Sequence, residues 1–348
     1  MRASYAHVAD YAGWMNLTEW GILQVRGADR IRFLQAQLTN DLRAAALGGG
    51  LFALFCTPTG HVLSDTVVLL TPYEALLILP PETHASISDR LNDAIILDDV
   101  EVCPQHESLG LLSLQGSQVD AVLEELEMEP PPPAPLTHHL QYWQGAEIRL
   151  ARHDRTGFGG VDLLVPYTVM ETLQTALIAT ECWRIEEPLA EVLRYEAGIP
   201  RWGIDMSART LAGEMDEPFV RTHISYTKGC YVGQEVLMRI HARGHTNRTW
   251  VPMQIEGTVV PPAGTAVQAE ERPDAGVLTG AVPSPALGGA ILGWGFVRNA
   301  YIDPGTTLHF ASRSPTCPAL LPSAKVYSHH AGQAHCTVSD RGQSRPPP

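Results

Sequence analysis

The sequence predicts an α+β protein that ends in a small all-β module. Strand-like and helix-like segments alternate up to residue 248, and several neighbouring strands are joined by short turns, which favours antiparallel or mixed sheets. The proline-rich stretch Glu129–His139 interrupts this alternation, since it can form neither a helix nor a central strand. From Thr249 onward the chain is rich in Gly, Pro and Val and has no helical period, as expected of a β-barrel.

The first elements of the chain are predicted from periodicity and turn residues. A strand over Gly21–Gly27 is followed by a helix for which Asp29 is the N-cap, because apolar residues recur at helical spacing after it. Two strands joined by a turn at Thr57–Gly60 come next, and Pro81 begins a helix that runs to about Leu91.

Two further helices are predicted, each from a start or stop signal. Ser117 caps the helix in "SQVDAVLEELE", and the segment "EPLAEVLRYEAG" has helical spacing that stops at Gly198, two residues before Pro200. We divide the chain into a first α+β segment (1–140), a second (141–248), a β-barrel (249–312) and a disordered tail (313–348).

Composition restricts the possible partners and the compartment. The net charge of the 348 residues is −14, which disfavours nucleic acid and anionic membranes as main partners. No apolar run has the roughly 20 residues that a membrane span needs. The six cysteines are scattered without a CxxC pair, as is typical of a reducing compartment, so we expect a cytoplasmic protein.

The segment "KGCYVGQE" (228–235) carries the clearest local chemistry. Lys228 is one of only two lysines in the chain and stands two residues before Cys230. Between Arg221 and Arg248 five basic residues accompany a single carboxylate, Glu235, which predicts a positive patch for an anionic small molecule. Cys230 precedes a predicted helix and is therefore a candidate reactive thiol, although a buried apolar cysteine fits the sequence as well.

Two acidic residues stand in apolar surroundings. Glu196 lies in the last turn of its helix, where the helix dipole disfavours a carboxylate, so either an arginine partner or a ligand would explain it. Asp65 interrupts an apolar strand and is either an outward-facing residue or a partnered site residue. His241 and His245 are four residues apart but lack the rest of a zinc motif, and we expect no metal site.

The strings "KGCYVGQE", "RIHARGHTNR" and "RYEAGIPRWGIDM" together resemble the YgfZ family of folate-binding proteins, which is related to the glycine cleavage T-protein, an aminomethyltransferase. The resemblance runs from about Trp20 to about Phe310 and is supported by "LTND" at Leu38–Asp41. It implies two α+β segments arranged in a ring around a central channel, followed by a C-terminal β-barrel, with tetrahydrofolate or a one-carbon derivative in the channel.

The resemblance also implies roles for individual residues. Cys230 is the functional thiol with Lys228 beside it, Glu196 grips the pterin edge, and Asp65 faces the folate nitrogens. The folate would further contact an aromatic wall and cationic side chains, for which the candidates are Tyr231, Trp202, Arg239 and Arg243. Ser64 replaces the first aspartate of the T-protein pair, and "KGCYVGQ" departs from the T-protein string at the same place.

Three functions follow from the resemblance. The first is a folate-dependent accessory protein for the assembly or repair of iron–sulfur enzymes, with client iron–sulfur proteins or their assembly machinery as partners. The second is an aminomethyltransferase of the glycine cleavage type, and the third is a folate-binding regulatory module without chemistry. The first is the expected function, because both departures from the T-protein pattern weaken the second.

Overall fold

The computed structural model describes residues 1–244, 246–270 and 272–310, together with the backbone of 323–326; of Arg243 only the backbone is described. The helices are α1 (Arg2–Asp10), α2 (Arg30–Gln37), α3 (His84–Ala94), α4 (Val119–Glu125), α5 (Tyr167–Ala179), α6 (Glu187–Glu196), α7 (Glu217–His223) and α8 (Gln234–Arg243).

The strands form three sheets. In chain order they are β1 (Gly13–Asn16), β2 (Gly21–Arg26), β3 (Gly50–Cys56), β4 (Val62–Leu70), β5 (Ala75–Leu79), β6 (Glu101–Pro104), β7 (Leu109–Gln115), β8 (His138–Trp143), β9 (Ala146–Arg152), β10 (Gly160–Pro166), β11 (Trp183–Arg184), β12 (Arg248–Ile255), β13 (Ala266–Ala269), β14 (Arg272–Pro283), β15 (Ile291–Arg298), β16 (Thr307–Phe310) and β17 (Ser323–Val326). Among the described residues no helix is long and apolar enough to cross a membrane.

The five-stranded sheet has the order β3-β4-β5-β2-β6 and its pairings are antiparallel. One face packs against α2 and α3, since Phe33, Leu34, Ile87 and Leu91 share a buried cluster with its strands. The predicted hairpin is present, with its turn at Thr57–Gly60, between β3 and β4.

The six-stranded sheet has the order β11-β1-β7-β10-β9-β8. Its outer face buries α4 and α5, whereas its inner face meets the five-stranded sheet through a cluster that includes Ile22, Leu69, Leu111 and Leu164. The sheet takes strands from both sides of the boundary predicted at residue 140, because β7 pairs with β1 and β10.

The C-terminal strands close a barrel in the order β12-β15-β14-β13-β16-β17. The barrel packs on α6 and α7 through a cluster in which the rings of Trp250 and Trp294 stack at 4.0 Å. β17 lies in the stretch that the sequence predicts as a disordered tail, and it closes the barrel by pairing with β12 and β16; the rest of that stretch lies outside the described residues. The α+β fold with a C-terminal β-barrel is thus confirmed.

Candidate functional site

A cavity of about 470 Å³ lies beside the inner face of the five-stranded sheet. Its other walls include the segment 15–20, residues 80–82, the loop after β9, the helices α6 and α7, and the loop at 198–202 that follows α6. The volume is in the range of small-molecule sites. We call it the Asp65 cavity, after the carboxylate on its sheet wall.

The sheet wall is built by strand alternation. Asp65 and Val67 stand two residues apart on β4 and therefore point to the same face. Phe52 on β3 and Ile78 on β5 pair with Val67 and complete the wall. Ser64 points to the opposite face, where it is buried and its hydroxyl lies 2.7 Å from that of Thr83.

Asp65 is the carboxylate that the sequence predicts to face a ligand, and it lines the cavity. Its Oδ1 is buried and has no hydrogen-bond partner in the described part of the chain. Burial raises the pKa of Asp65 to about 6, against the opposing effects of its own backbone N–H and of Arg155. A carboxyl of this kind can hold or release a proton near neutral pH.

Aromatic rings surround the rest of the cavity. Trp202, which the sequence predicts as an aromatic wall, lines it together with Trp20 and Phe52. The guanidinium of Arg155 lies 4.6 Å from the centroid of the Trp20 ring, so this ring contacts a cation as well as the cavity. The arrangement suits a flat heteroaromatic ligand.

Arg155 is fixed by a buried carboxylate behind the cavity. Its Nη2 donates to Asp162 over 2.7 Å, and the Nδ1 of His153 lies 2.8 Å from the same carboxylate. Burial opposes the charge on Asp162, but Arg155 and His153 outweigh it and lower the pKa of that carboxyl. Burial and the charge of Arg155 lower the pKa of His153, which is therefore neutral at pH 7.

A second ionic network forms the wall contributed by α6. Arg194 donates to Glu191 and to Asp205, both over 2.6 Å, and Arg201 donates to Glu191 over 2.9 Å. Asp205 is fully buried and also accepts from the hydroxyl of Thr279 on β14, which ties this wall to the barrel. The network holds the cavity wall against the barrel.

Several cavity residues were not predicted as site residues, among them Arg155, His153, Asp216 and His223. The sequence contains one signal for Asp216, because it precedes the Glu-Pro pair that begins α7 and is its N-cap. That signal predicts a helix start and does not indicate which way the carboxylate points. His153 and His223 come from different segments, and only the fold brings them to one cavity.

Glu196 is predicted to grip a ligand, but the structure places it outside the residues that line the cavity. Its Oε1 accepts from the hydroxyl of Ser284 over 2.5 Å and from the backbone N–H of Ala286 over 3.0 Å, and Tyr5 hydrogen-bonds to the same carboxylate. Ser284 and Ala286 belong to the loop between β14 and β15. Glu196 therefore joins α6 to the barrel and to α1.

Lys228 is anchored in the first segment. Its Nζ donates to the backbone carbonyls of Gln35, Leu38 and Asn40, each over 2.7 Å, and these oxygens lie at the C-terminal end of α2 and just beyond it. Burial lowers the pKa of Lys228 to about 8, so the ammonium is still protonated at pH 7. All three of its N–H groups are used, which leaves none to stabilise a thiolate.

Two other residues of the 228–235 segment differ in burial. Tyr231 is buried in the cluster between α6, α7 and the barrel, and not among the cavity-lining residues. Cys230 is exposed, four residues before the first helical residue of α8. The thiol is accessible to solvent and to other molecules.

The two predicted arginine contacts lie on α8. Arg239 is exposed and pairs with Glu235 over 3.1 Å within the same helix, and the cavity-lining residues do not include it. Arg243 is the last residue of the helix, and its side chain lies outside the described residues. Of the predicted site residues, the structure therefore brings Asp65 and Trp202 together in one cavity.

A family model, related proteins and a solved structure each match more than half of this chain. The GCVT N-terminal domain matches residues 1–220. An aminomethyltransferase of Chlorobium chlorochromatii is 26% identical over 317 residues, which cover 88% of this chain and 84% of the relative. One of Alkaliphilus oremlandii is 24% identical over 338 residues, covering 94% and 89%. The crystal structure of the glycine cleavage system aminomethyltransferase T from Bartonella henselae superposes with a TM-score of 0.81 at 19% identity, covering 94% of this chain and 88% of that one.

Proposed function

Because the chain belongs to the GCVT family, we propose that it binds tetrahydrofolate in the Asp65 cavity and transfers to it the one-carbon unit of an aminomethyl group held on a lipoyl carrier thiol, so that ammonia and the free thiol are released. The observation that carries the proposal is the buried Oδ1 of Asp65, which has no hydrogen-bond partner among the described residues; Asp65 lines a cavity with aromatic walls. The curated relatives of similar length are named aminomethyltransferases.

The residues present fit a folate. A pterin ring carries N–H groups that an unpartnered carboxylate can accept, and Asp65 offers such an oxygen. Trp20 and Trp202 supply aromatic contact area for the ring systems. When bound, tetrahydrofolate supplies the nitrogens that accept the one-carbon unit.

Asp65 would act as an acceptor of a hydrogen bond or of a proton. With a pKa of about 6 the carboxyl is mostly ionised at pH 7 and can accept a hydrogen bond or a proton from a ligand nitrogen. Arg155 lies close enough to oppose the burial effect on Asp65, and it is itself held by Asp162. The network of Arg194, Glu191 and Arg201 keeps the facing wall in place.

Ammonia release tests this function. Purified protein is mixed with tetrahydrofolate and an aminomethylated lipoyl carrier protein. Control mixtures each omit one of these three components. Aminomethyl transfer predicts ammonia formation that requires both tetrahydrofolate and the carrier, and that falls at least 100-fold in Asp65→Asn. Ammonia formation equal to that of the protein-free mixture would rule out the transferase function.

A second candidate is an accessory role for iron–sulfur enzymes, as in the YgfZ family. The observation that favours it is the exposed thiol of Cys230, at the surface of a segment that is otherwise anchored by Lys228. In this function the thiol acts on a partner protein while the folate occupies the Asp65 cavity. Activity of iron–sulfur enzymes in cells that carry Cys230→Ser, compared with wild type, tests it, and unchanged activity would rule it out.

A further inference from the structure

A second carboxylate, that of the partly buried Asp216, lines the Asp65 cavity on the wall contributed by α7. Its Oδ1 is buried and has no hydrogen-bond partner in the described part of the chain. Burial raises the pKa of Asp216 to about 7, although the backbone N–H groups of Phe219 and of Asp216 itself oppose this effect. An ionised carboxylate in such a place is costly unless a ligand compensates its charge.

Uncharged aromatic rings line the cavity together with Asp216, and the charged side chain of Glu217, which follows Asp216, is exposed. Trp202, Phe219 and His223 all line the cavity, and the rings of Phe219 and His223 stack at 3.8 Å. Burial lowers the pKa of His223 to about 4, so its ring is neutral at pH 7 and does not repel a cation. Aromatic faces beside a carboxylate are the surroundings in which proteins bind ammonium groups.

The arginines of the cavity already have other carboxylates as partners. Arg155 is paired with Asp162 over 2.7 Å, and Arg194 with Glu191 over 2.6 Å. Arg201 is paired with Glu191 over 2.9 Å. The Oδ1 of Asp216 is therefore available for a positive group that enters from outside.

We propose that Asp216, in the cavity that Trp202 and Phe219 also line, forms a subsite for the ammonium group of a small amine. The proposal rests on the proposed function and makes it more specific, because it assigns Asp65 to the folate and Asp216 to the amino group of the second substrate. The substrate class is a protonated amine that has at least one N–H, since a quaternary ammonium has no N–H to donate to Oδ1.

Methylammonium is the probe that tests this subsite without folate. Binding to the full chain is measured at pH 8 by saturation-transfer NMR titration, with tetramethylammonium as the cation that lacks N–H donors. We expect methylammonium to bind at least tenfold more tightly than tetramethylammonium, and Asp216→Asn to weaken methylammonium binding at least tenfold. Asp216→Ser serves as a second variant with the same expected loss, because Ser and Asn are both favoured at the N-cap position that Asp216 occupies.

Two control variants test whether methylammonium binds at Asp216. Glu217→Gln changes an exposed neighbour in the same helical turn and is expected to leave methylammonium affinity within twofold. Asp65→Asn is expected to weaken folate binding while keeping methylammonium binding. No methylammonium binding by the wild type, or equal binding by wild type and Asp216→Asn, would overturn the amine subsite; if tetrahydrofolate still binds, the proposed folate site stands.

Discussion

The ammonium nitrogen of Lys228 lies 2.7 Å from the backbone oxygen of Leu38, a residue 190 positions earlier in the chain. The same nitrogen reaches the carbonyls of Gln35 and Asn40 at the same distance, so one side chain satisfies three backbone acceptors around the end of α2. A compact ammonium can donate to three converging oxygens, whereas a planar guanidinium directs its donors differently. This explains a lysine at this position in a chain that has only one other lysine and otherwise uses arginine.

Loss of this anchor should destabilise the protein. We expect Lys228→Met to lower the free energy of unfolding by about 2–4 kcal/mol, because it leaves partly buried carbonyls without donors. The matched control is Arg239→Met, which removes a cation from an exposed helical pair and should cost less than about 0.5 kcal/mol. Urea unfolding of both variants is the measurement, and equal losses would contradict the anchoring role.

The glycines of the same segment should differ in their tolerance of a side chain. A Cβ on Gly233 would lie 2.7 Å from the carbonyl oxygen of Thr57 in the β3–β4 turn, whereas a Cβ on Gly229 would have no atom of the described residues within 4 Å. Both have positive φ, +89° and +99°, so the backbone strain of an alanine is similar at the two sites, about 1 kcal/mol. In urea unfolding we expect Gly233→Ala to lower the free energy of unfolding by about 1–3 kcal/mol more than Gly229→Ala does. A smaller loss in Gly233→Ala than in Gly229→Ala would contradict the close packing at Gly233.

The pH dependence of stability should report on Asp65. Its pKa is raised from 3.8 to about 6, so the folded protein holds this proton more tightly than the unfolded chain does. Stability from this group is therefore complete below pH 3.8 and is lost as the pH rises through 6.

Between pH 5 and pH 8 the ligand-free wild type should lose about 1–2 kcal/mol relative to Asp65→Asn, which has no such proton. Urea unfolding of both proteins at the two pH values measures this difference. Parallel changes in the two proteins would show that the Asp65 carboxyl does not titrate in this range.

Cys230 should contribute little to the stability of the protein. Because its side chain is exposed, we expect Cys230→Ser to change the free energy of unfolding by less than about 0.5 kcal/mol and to leave tetrahydrofolate affinity unchanged. Alkylation of the native protein should label Cys230 well ahead of Cys56 and Cys182, which are buried. Slower labelling of Cys230 than of Cys56 would contradict its exposure.

Local patterns predicted the elements better than the contacts between them. The helix after Asp29, the hairpin turn at Thr57–Gly60 and the end of α6 near Gly198 follow from spacing and turn residues, and all are present. The strand at Ser323–Val326 was not predicted. It forms by pairing with β12 and β16 at the open edge of the barrel, and its own sequence does not indicate this pairing.

The residues of the candidate site could likewise be singled out from the sequence, but their contacts could not be predicted from it. Asp65 stood out as a polar residue inside an apolar strand, and it lines the cavity because strand alternation fixes the face on which it stands. The unusual lysine indicated a special position, but nothing in the sequence shows that three carbonyls from residues 35–40 converge on it. Glu196 stood out for the same reason as Asp65, yet its partner is a barrel loop almost 90 residues away in sequence.

Calorimetric titration of tetrahydrofolate into the wild type, Asp65→Asn and Glu196→Gln tests the central claim most directly. If the folate lies in the Asp65 cavity, the wild type binds it, Asp65→Asn weakens binding at least tenfold, and Glu196→Gln keeps the affinity within about twofold while losing stability. Unchanged affinity in Asp65→Asn together with lost affinity in a folded Glu196→Gln would contradict the assignment and move the ligand to the junction between α6 and the barrel.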